Sequence, residues 1–374
     1  MNFFLYYTLP FVIVLGILIF FHELGHFLVA KYCGVKVLKF ALGFGPKLVG
    51  KKIGDTEYSI RYFPLGGFVK MLGEEAGDET SKNLPPEEAK RSFENQSVFK
   101  RTAIVAAGPI FNLLLALFLF SGLFIISGQR VIIPEIGQIT EGLPAHKAGL
   151  QKGDVVVSIG GKAIETWSEM KDIVQPSAGK PLKITIQRGD KFITHTIVPE
   201  MTTVKNMFGQ EVRSALIGIV SSGKVKKIHF GPLEATKKAT IETWKWIKLT
   251  CLVVVKLFQG VIPLKDVGGP ILIGQMAGKL AQDSFGNLIP FMAIISVNLA
   301  VLNLFPIPIL DGGLIIFLLF ELLLGKPLSP KKRELAMKVG LFLLVFLMII
   351  ITFNDLNRIK IFQNLFQSLG KIFG

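Results

Sequence analysis

Four long apolar runs divide the chain, near residues 3–30, 102–126, 288–324 and 337–353. Each reaches the ~17–20 residues that span a hydrocarbon core. The pattern changes between the second and third runs, where residues 130–228 read as a soluble domain. Within it, residues 131–200 show short β-rich stretches (DVVVSIGG, LKITIQRG, FITHTIVP) around a helical one, WSEMKDIV, which predicts a small mixed α/β module able to fold independently. After the first run, residues 39–72 alternate apolar and polar positions between Gly and Pro, predicting two or more short strands with turns. Residues 73–90 are acidic and polar, as expected of a mobile segment. Residues 241–263 mix Lys245, Lys248 and Lys256 with Trp244 and Trp246, the pattern of an amphipathic helix lying along a membrane interface.

Composition supports a membrane protein: half of the residues are hydrophobic and the mean hydropathy is +0.52. A net charge of +15 would suggest nucleic acid in a soluble protein. Here many of the basic residues crowd the ends of the apolar runs, so anionic lipid is the expected partner and nucleic acid is not. The first ten residues carry no charged side chain, whereas Lys31, Lys36, Lys39, Lys47, Lys51 and Lys52 follow the first run. The excess of Lys and Arg on the inner side then places the N-terminus outside and the 32–101 loop in the cytoplasm. Lys100 and Arg101 precede the second run, and Lys326, Lys331, Lys332 and Arg333 separate the last two, so those loops are expected inside as well. An even number of crossings must join Arg101 to Lys326, which runs 102–126 and 288–310 satisfy and which argues against a crossing at 241–263. Arg358, Lys360 and Lys371 would then lie outside, a mild objection, since a weakly basic end rarely decides orientation. The first run has no basic leader or small-residue cleavage site, so it is expected to be retained. Cys33 and Cys251 stand in no metal-type spacing.

The chemistry is concentrated in two places. In the HELGH of the first run, His22 and His26 stand four apart, so on a helix both imidazoles project from one face at the spacing a zinc ion needs. Glu23 then sits beside the water such an ion would activate, as a general base. A histidine pair satisfied on a helix surface is the plain alternative, but three ionisable groups inside an apolar run are costly without partners or a polar cavity. The other histidines, His146, His195 and His229, fall in the external region, so the third ligand should be a carboxylate from a membrane segment. Asp311, Glu321 and Asp355 are the candidates. Asp311 is favoured because it follows NLFPIPIL and precedes Gly312 and Gly313, and Pro306 and Pro308 break the helix beside it. Unwound backbone at membrane depth is tolerated where it lines a cavity. A kink with a polar residue paired to a neighbouring helix is the competing reading. Asn303 can donate to a scissile carbonyl as it gains charge, or make an ordinary interhelical bond. The latter is the leading reading for Asn298, and GPIFN (108–112) with Asn112 reads as helix packing in preference to a substrate contact.

HELGH, NLFPIPILDGG and the insert between them resemble the site-2 protease family of intramembrane zinc proteases, and within it the bacterial RseP type. GFGPKL and PLGGFVKM match the family's cytoplasmic β-loop, and residues 141–164 resemble the core of a PDZ domain. The resemblance implies Zn2+ held by His22, His26 and Asp311, Glu23 as catalytic base, and Asn303 assisting substrate or oxyanion. It implies transmembrane protein substrates such as anti-sigma factors or remnant signal peptides, and residence in the bacterial inner (cytoplasmic) membrane. One PDZ-like domain fits between residues 130 and 228, where the best-known members carry two.

The expected fold is a polytopic α-helical membrane protein of about four transmembrane helices, with a cytoplasmic membrane-associated β-loop and one inserted α/β PDZ domain. Residues 1–128 and 229–374 form the protease core and 129–228 the extracytoplasmic domain. A transporter would explain buried charges and broken spans, but it leaves HELGH and the insert without a role. A catalytically silent scaffold would be expected to lack one of His22, Glu23, His26 or Asp311, and all four are present.

Overall fold

Helix boundaries follow the local chemistry of the chain. In the computed structural model, which describes residues 4–74 and 84–358, α1 (Leu9–Tyr32) begins with Pro10 in its first turn and ends with Lys31 in its last. Gly34 follows at φ +83° and turns the chain away. The other helices of eight or more residues are α2 (Val98–Ile126), α3 (Trp167–Val174), α4 (Pro232–Phe258), α5 (Pro270–Asp283), α6 (Leu288–Asn303), α7 (Asp311–Leu324) and α8 (Pro330–Arg358). Among the described residues, four helical segments are long and apolar enough to cross a membrane: Tyr6–Tyr32, Val98–Ile126, Phe285–Asn303 and Pro330–Arg358. Of the acidic stretch 73–90, residues 75–83 lie outside the described residues, as do Lys360 and Lys371.

The chain divides into two compact units, residues 1–122 with 233–374, and residues 123–232. In the first unit, two apolar clusters hold α1 along its length. Val14 and Leu18 pack with Leu115 of α2, Ala277 of α5 and Leu288 and Phe291 at the start of α6. Nearer the other end, Phe27 and Ala30 pack with Ile104 and Val105 of α2, Leu318 of α7 and Val37, Phe40 and Val69 of the strands that follow α1. Helix α5 has no counterpart among the predicted elements. It is short and contains Lys279 and Gln275, and Ala277 and Gly278 form its buried side. By contrast α8 buries little of its apolar surface within the unit and presents Phe342, Phe346 and Ile349 outward, as a lipid-facing helix does.

Strands β1 (Val37–Ile53) and β2 (Thr56–Met71) are longer than the sequence pattern suggests. Both bend back, so residues 39–42 pair with 57–60 on one side and with 67–70 on the other, while 49–53 pair with 56–60. One hairpin thereby makes a sheet four segments wide. Residues 67–70 form one border of it, and among the described residues no further strand pairs there.

The second unit is α/β. Its four-stranded antiparallel sheet has the order β6 (Lys162–Ala163), β5 (Val155–Ile159), β7 (Leu182–Arg188), β8 (Lys191–Ile197). Two-stranded pairs join β3 (Gln129–Ile132) to β12 (Val225–Ile228), β4 (Ile136–Ile139) to β11 (Ile219–Ser221) and β9 (Glu200–Lys205) to β10 (Glu211–Leu216). Helix α3 covers the WSEMKDIV stretch and starts from a reciprocal cap between Thr166 and Glu169. Its Met170 and Val174 join Val156, Ile184 and Ile186 in a single core. Asp154, buried, accepts two hydrogen bonds from Arg188 at 2.7 Å each, which ties the turn before β5 to the end of β7. Burial pushes the Asp154 carboxyl up, but these bonds and that from the Gln151 N–H overcome it and hold the group below its ordinary value.

Candidate metal centre

His22, Glu23 and His26 occupy consecutive turns of α1, and the break between α6 and α7 brings Asp311 to them. Helix α6 ends at Asn303 and α7 begins at Asp311. The intervening residues 304–310 turn through Ile309, which holds φ 91°, a conformation that a β-branched side chain adopts only when its surroundings enforce it. Gly312 and Gly313 let the new helix start directly against this turn. A Cβ on Gly312 would lie 2.3 Å from the carbonyl oxygens of Leu304 and Phe305.

Three ligand atoms converge. His22 Nε2 lies 3.3 Å from His26 Nε2 and 3.2 Å from Asp311 Oδ2, and His26 Nε2 lies 3.6 Å from Asp311 Oδ1. Tetrahedral ligands about 2.1 Å from a common zinc-sized ion stand about 3.4 Å from one another, so the spacing fits such an ion. The donor chemistry fits too. His26 Nδ1 lies 2.9 Å from the Ile104 carbonyl oxygen, which can only accept, so the ring proton is on Nδ1 and the Nε2 lone pair is free for the cluster. Asp311 Oδ2 is buried and makes no hydrogen bond among the described residues, despite the nearby imidazole, the situation of an atom whose partner is a cation. Three protein ligands leave a position open for chemistry.

A cavity of about 260 Å³ opens beside these atoms. Glu23 and Asn303 line it together with the ligands, the sheet border Gly67–Val69, and Ile309, Leu310 and Leu314. Asn303 Nδ2 is 3.3 Å from His22 Nε2. The other sequence candidates are engaged elsewhere. Glu321 makes a two-pronged ion pair with Arg101 of α2. Asp355 is buried and accepts from the Gly269 and Leu272 N–H groups at 3.1 and 3.0 Å, so it caps the start of α5. Asn298 accepts a 2.6 Å bond from Thr250 of α4, the interhelical role expected of it. His146, His195 and His229 belong to the second unit.

Some contributors have no recognisable sequence signal. Gly108 is where α2 passes the histidines: a Cβ there would lie 2.3 Å from His26 Nε2 and 2.8 Å from His22 Cε1. In sequence this glycine is indistinguishable from one that merely packs helices. Ile309 and the placing of Gly67–Val69 against Glu23 depend on tertiary contacts that no local pattern encodes.

A histidine pair one helical turn apart, the glutamate between them and a carboxylate from a broken segment further along the chain, all set in a bundle of apolar helices, define a membrane-embedded metallopeptidase. The model of the family described as Peptidase family M50 matches residues 10–347. The chain belongs to that family. A Brucella suis biovar 1 protein provisionally named a zinc metalloprotease is 37% identical over 359 residues, covering 93% of this chain and 94% of that one. A Geobacillus kaustophilus protein named zinc metalloprotease RasP is 30% identical, covering 94% of this chain and 97% of that one. Among solved structures, the PDZ domain of an SdrC-like protein from Listeria monocytogenes is 24% identical with a TM-score of 0.19, over 23% of this chain and 84% of that one.

Proposed function

We propose that this protein is a zinc endopeptidase that cuts the transmembrane segments of single-span membrane proteins from within the bacterial cytoplasmic membrane. The convergence of His22, His26 and Asp311 on one point beside Glu23 carries the reading. His22 Nε2, His26 Nε2 and the Asp311 carboxylate hold the zinc. Zinc, when bound, supplies Lewis acidity that acidifies water and polarises the scissile carbonyl. Glu23 takes the proton from the attacking water and returns it to the departing amine. Asn303 Nδ2 donates to the carbonyl oxygen as charge develops on it. Leu310 and Leu314 give the cavity an apolar wall, which strengthens these interactions.

A helical substrate keeps its carbonyls bonded and must unwind before one can reach this point. The sheet border 67–70 adjoins the cavity, and pairing of an extended substrate along it would replace the lost helical bonds. The charge of the basic 32–101 loop assigns that border to the cytoplasmic side, and we read the expected interfacial segment 241–263, helical as far as Phe258 within α4, as lying along the interface. The inserted unit, which we read as PDZ-like, stands outside and excludes substrates that keep a bulky external domain. Anti-sigma factors and remnant signal peptides, trimmed beforehand by another protease, have the required form, and lipid surrounds the reaction.

The test is a zinc determination on the purified full chain alongside cleavage of a generic single-span reporter in proteoliposomes. About one zinc per chain and a cut inside the reporter span are expected. Zinc without cleavage, or cleavage that survives complete removal of zinc, would overturn the proposal.

A further inference from the structure

Asn112 is fully buried in the middle of α2. Its backbone carbonyl accepts a 2.7 Å bond from the Ser296 hydroxyl, which ties α2 to α6. That contact uses no part of the side chain, so packing of the two helices leaves the amide unexplained. The amide lies against His22, with Nδ2 3.2 Å from the ring Nδ1, and its Oδ1 is buried without a hydrogen-bond partner among the described residues.

The two histidines therefore differ in what stands behind them. His26 has a carbonyl oxygen at Nδ1, which can only accept. His22 has an amide, which donates from one end and accepts at the other, and a half-turn exchanges the ends without changing its shape. With Nδ2 toward the ring, Nδ1 must accept, and the proton of the neutral ring sits on Nε2, among His26 Nε2 and Asp311 Oδ2. With Oδ1 toward the ring, Nδ1–H donates and Nε2 turns a lone pair on the cluster. The ring is neutral in both arrangements, so no net proton is gained or lost.

We infer that Asn112 is a positioning residue for the metal centre, which presents Oδ1 to His22 Nδ1–H and so holds the tautomer in which Nε2 is a ligand. This rests on the zinc reading given above. An acceptor behind a ligating imidazole fixes the ring's orientation and makes the ligand more basic. The amide serves His22 as the Ile104 carbonyl serves His26, from the same helix and two turns further along it.

Zinc affinity of the purified full chain, measured by competition with a chromophoric chelator, tests this. Asn112→Leu keeps the branched shape, at a somewhat larger volume, but offers no acceptor, and should bind zinc about 10–100-fold more weakly. Asn112→Asp offers oxygen in either orientation, and should restore wild-type affinity or exceed it. Ser296→Ala removes the interhelical bond to the same residue and should lower the unfolding temperature while leaving zinc affinity unchanged. Wild-type affinity in Asn112→Leu would overturn the inference, as would a folded Asn112→Asp that binds as weakly as Asn112→Leu. Should Asn112→Leu fail to fold, Asn112→Asp decides alone, because weaker binding than wild type in the folded protein contradicts the assigned role. A wild-type chain that takes up no zinc sinks the zinc reading itself, an outcome distinct from failure at Asn112.

Discussion

At the scale of residues, function is separated from structure by what each carboxylate touches. Asp355 and Asp311 are both aspartates in or beside apolar runs, yet both oxygens of one accept from backbone N–H groups and the other leaves an oxygen without a hydrogen bond among the described residues. Glu23 is neither cap nor ligand, and it faces the cavity. Glu23→Gln should therefore keep zinc and lower the cleavage rate by about 10²–10⁴-fold, read as metal content and reporter turnover on the same preparation. Undiminished turnover would remove Glu23 from the mechanism. Asp154 supports a different prediction. Its folded pKa lies below the ordinary carboxylate value, so the stability it contributes is present above the unfolded pKa and is lost as pH falls through the folded one. Hydrogen exchange across β5 and β7 should accelerate as pH drops below the carboxylate range, beyond the intrinsic pH dependence of exchange, and Asp154→Asn should abolish the excess. The histidine pair and Asp311 were legible in the sequence because i, i+4 spacing and paired prolines are local signals. The packing expected of Asn112 is present in its bond from Ser296; its further contact with His22 leaves no sequence signal, since a buried amide on a small-residue face looks the same whether it touches a backbone or an imidazole.

At the scale of elements, hydropathy located the four long apolar runs, and Pro306 with Pro308 located the break that starts α7. Helix α5 was not legible: it is too short and too polar for a hydropathy signal, and its place depends on Gly278, where a Cβ would lie 2.4 Å from Tyr7. The hairpin was legible as strands, but not as a sheet four segments wide, because the backward bends depend on register and not on composition. Gly108 lets propensity and site geometry be set against each other. Gly108→Ala should favour α2 as a helix by up to about 1 kcal/mol, yet its new methyl group meets His26 Nε2. Zinc affinity should fall while helix content by circular dichroism holds or rises. Retained affinity would mean that the histidines move aside without cost.

At the scale of the whole molecule, the charge pattern makes a claim about membrane sides. A cysteine at position 160 should react with an impermeant reagent added to intact cells, and one at position 85 only after permeabilisation; the reverse would invert the topology. Replacing residues 131–200 by a short linker should preserve zinc binding and speed cleavage of a substrate that keeps its external domain. A folded but inactive deletion would show that the unit is needed for catalysis itself. The central claim, that an aspartate released from a broken span completes the metal site, is tested most directly by zinc stoichiometry in Asp311→Asn and Glu321→Gln. Asp311→Asn replaces a charged oxygen ligand by a weak neutral one, and its affinity should drop by more than the about 10–100-fold that partners behind the ligands are worth. Glu321→Gln should keep its zinc, even where loss of the Arg101 ion pair lowers stability. Zinc retained in Asp311→Asn and lost in folded Glu321→Gln would contradict the site described.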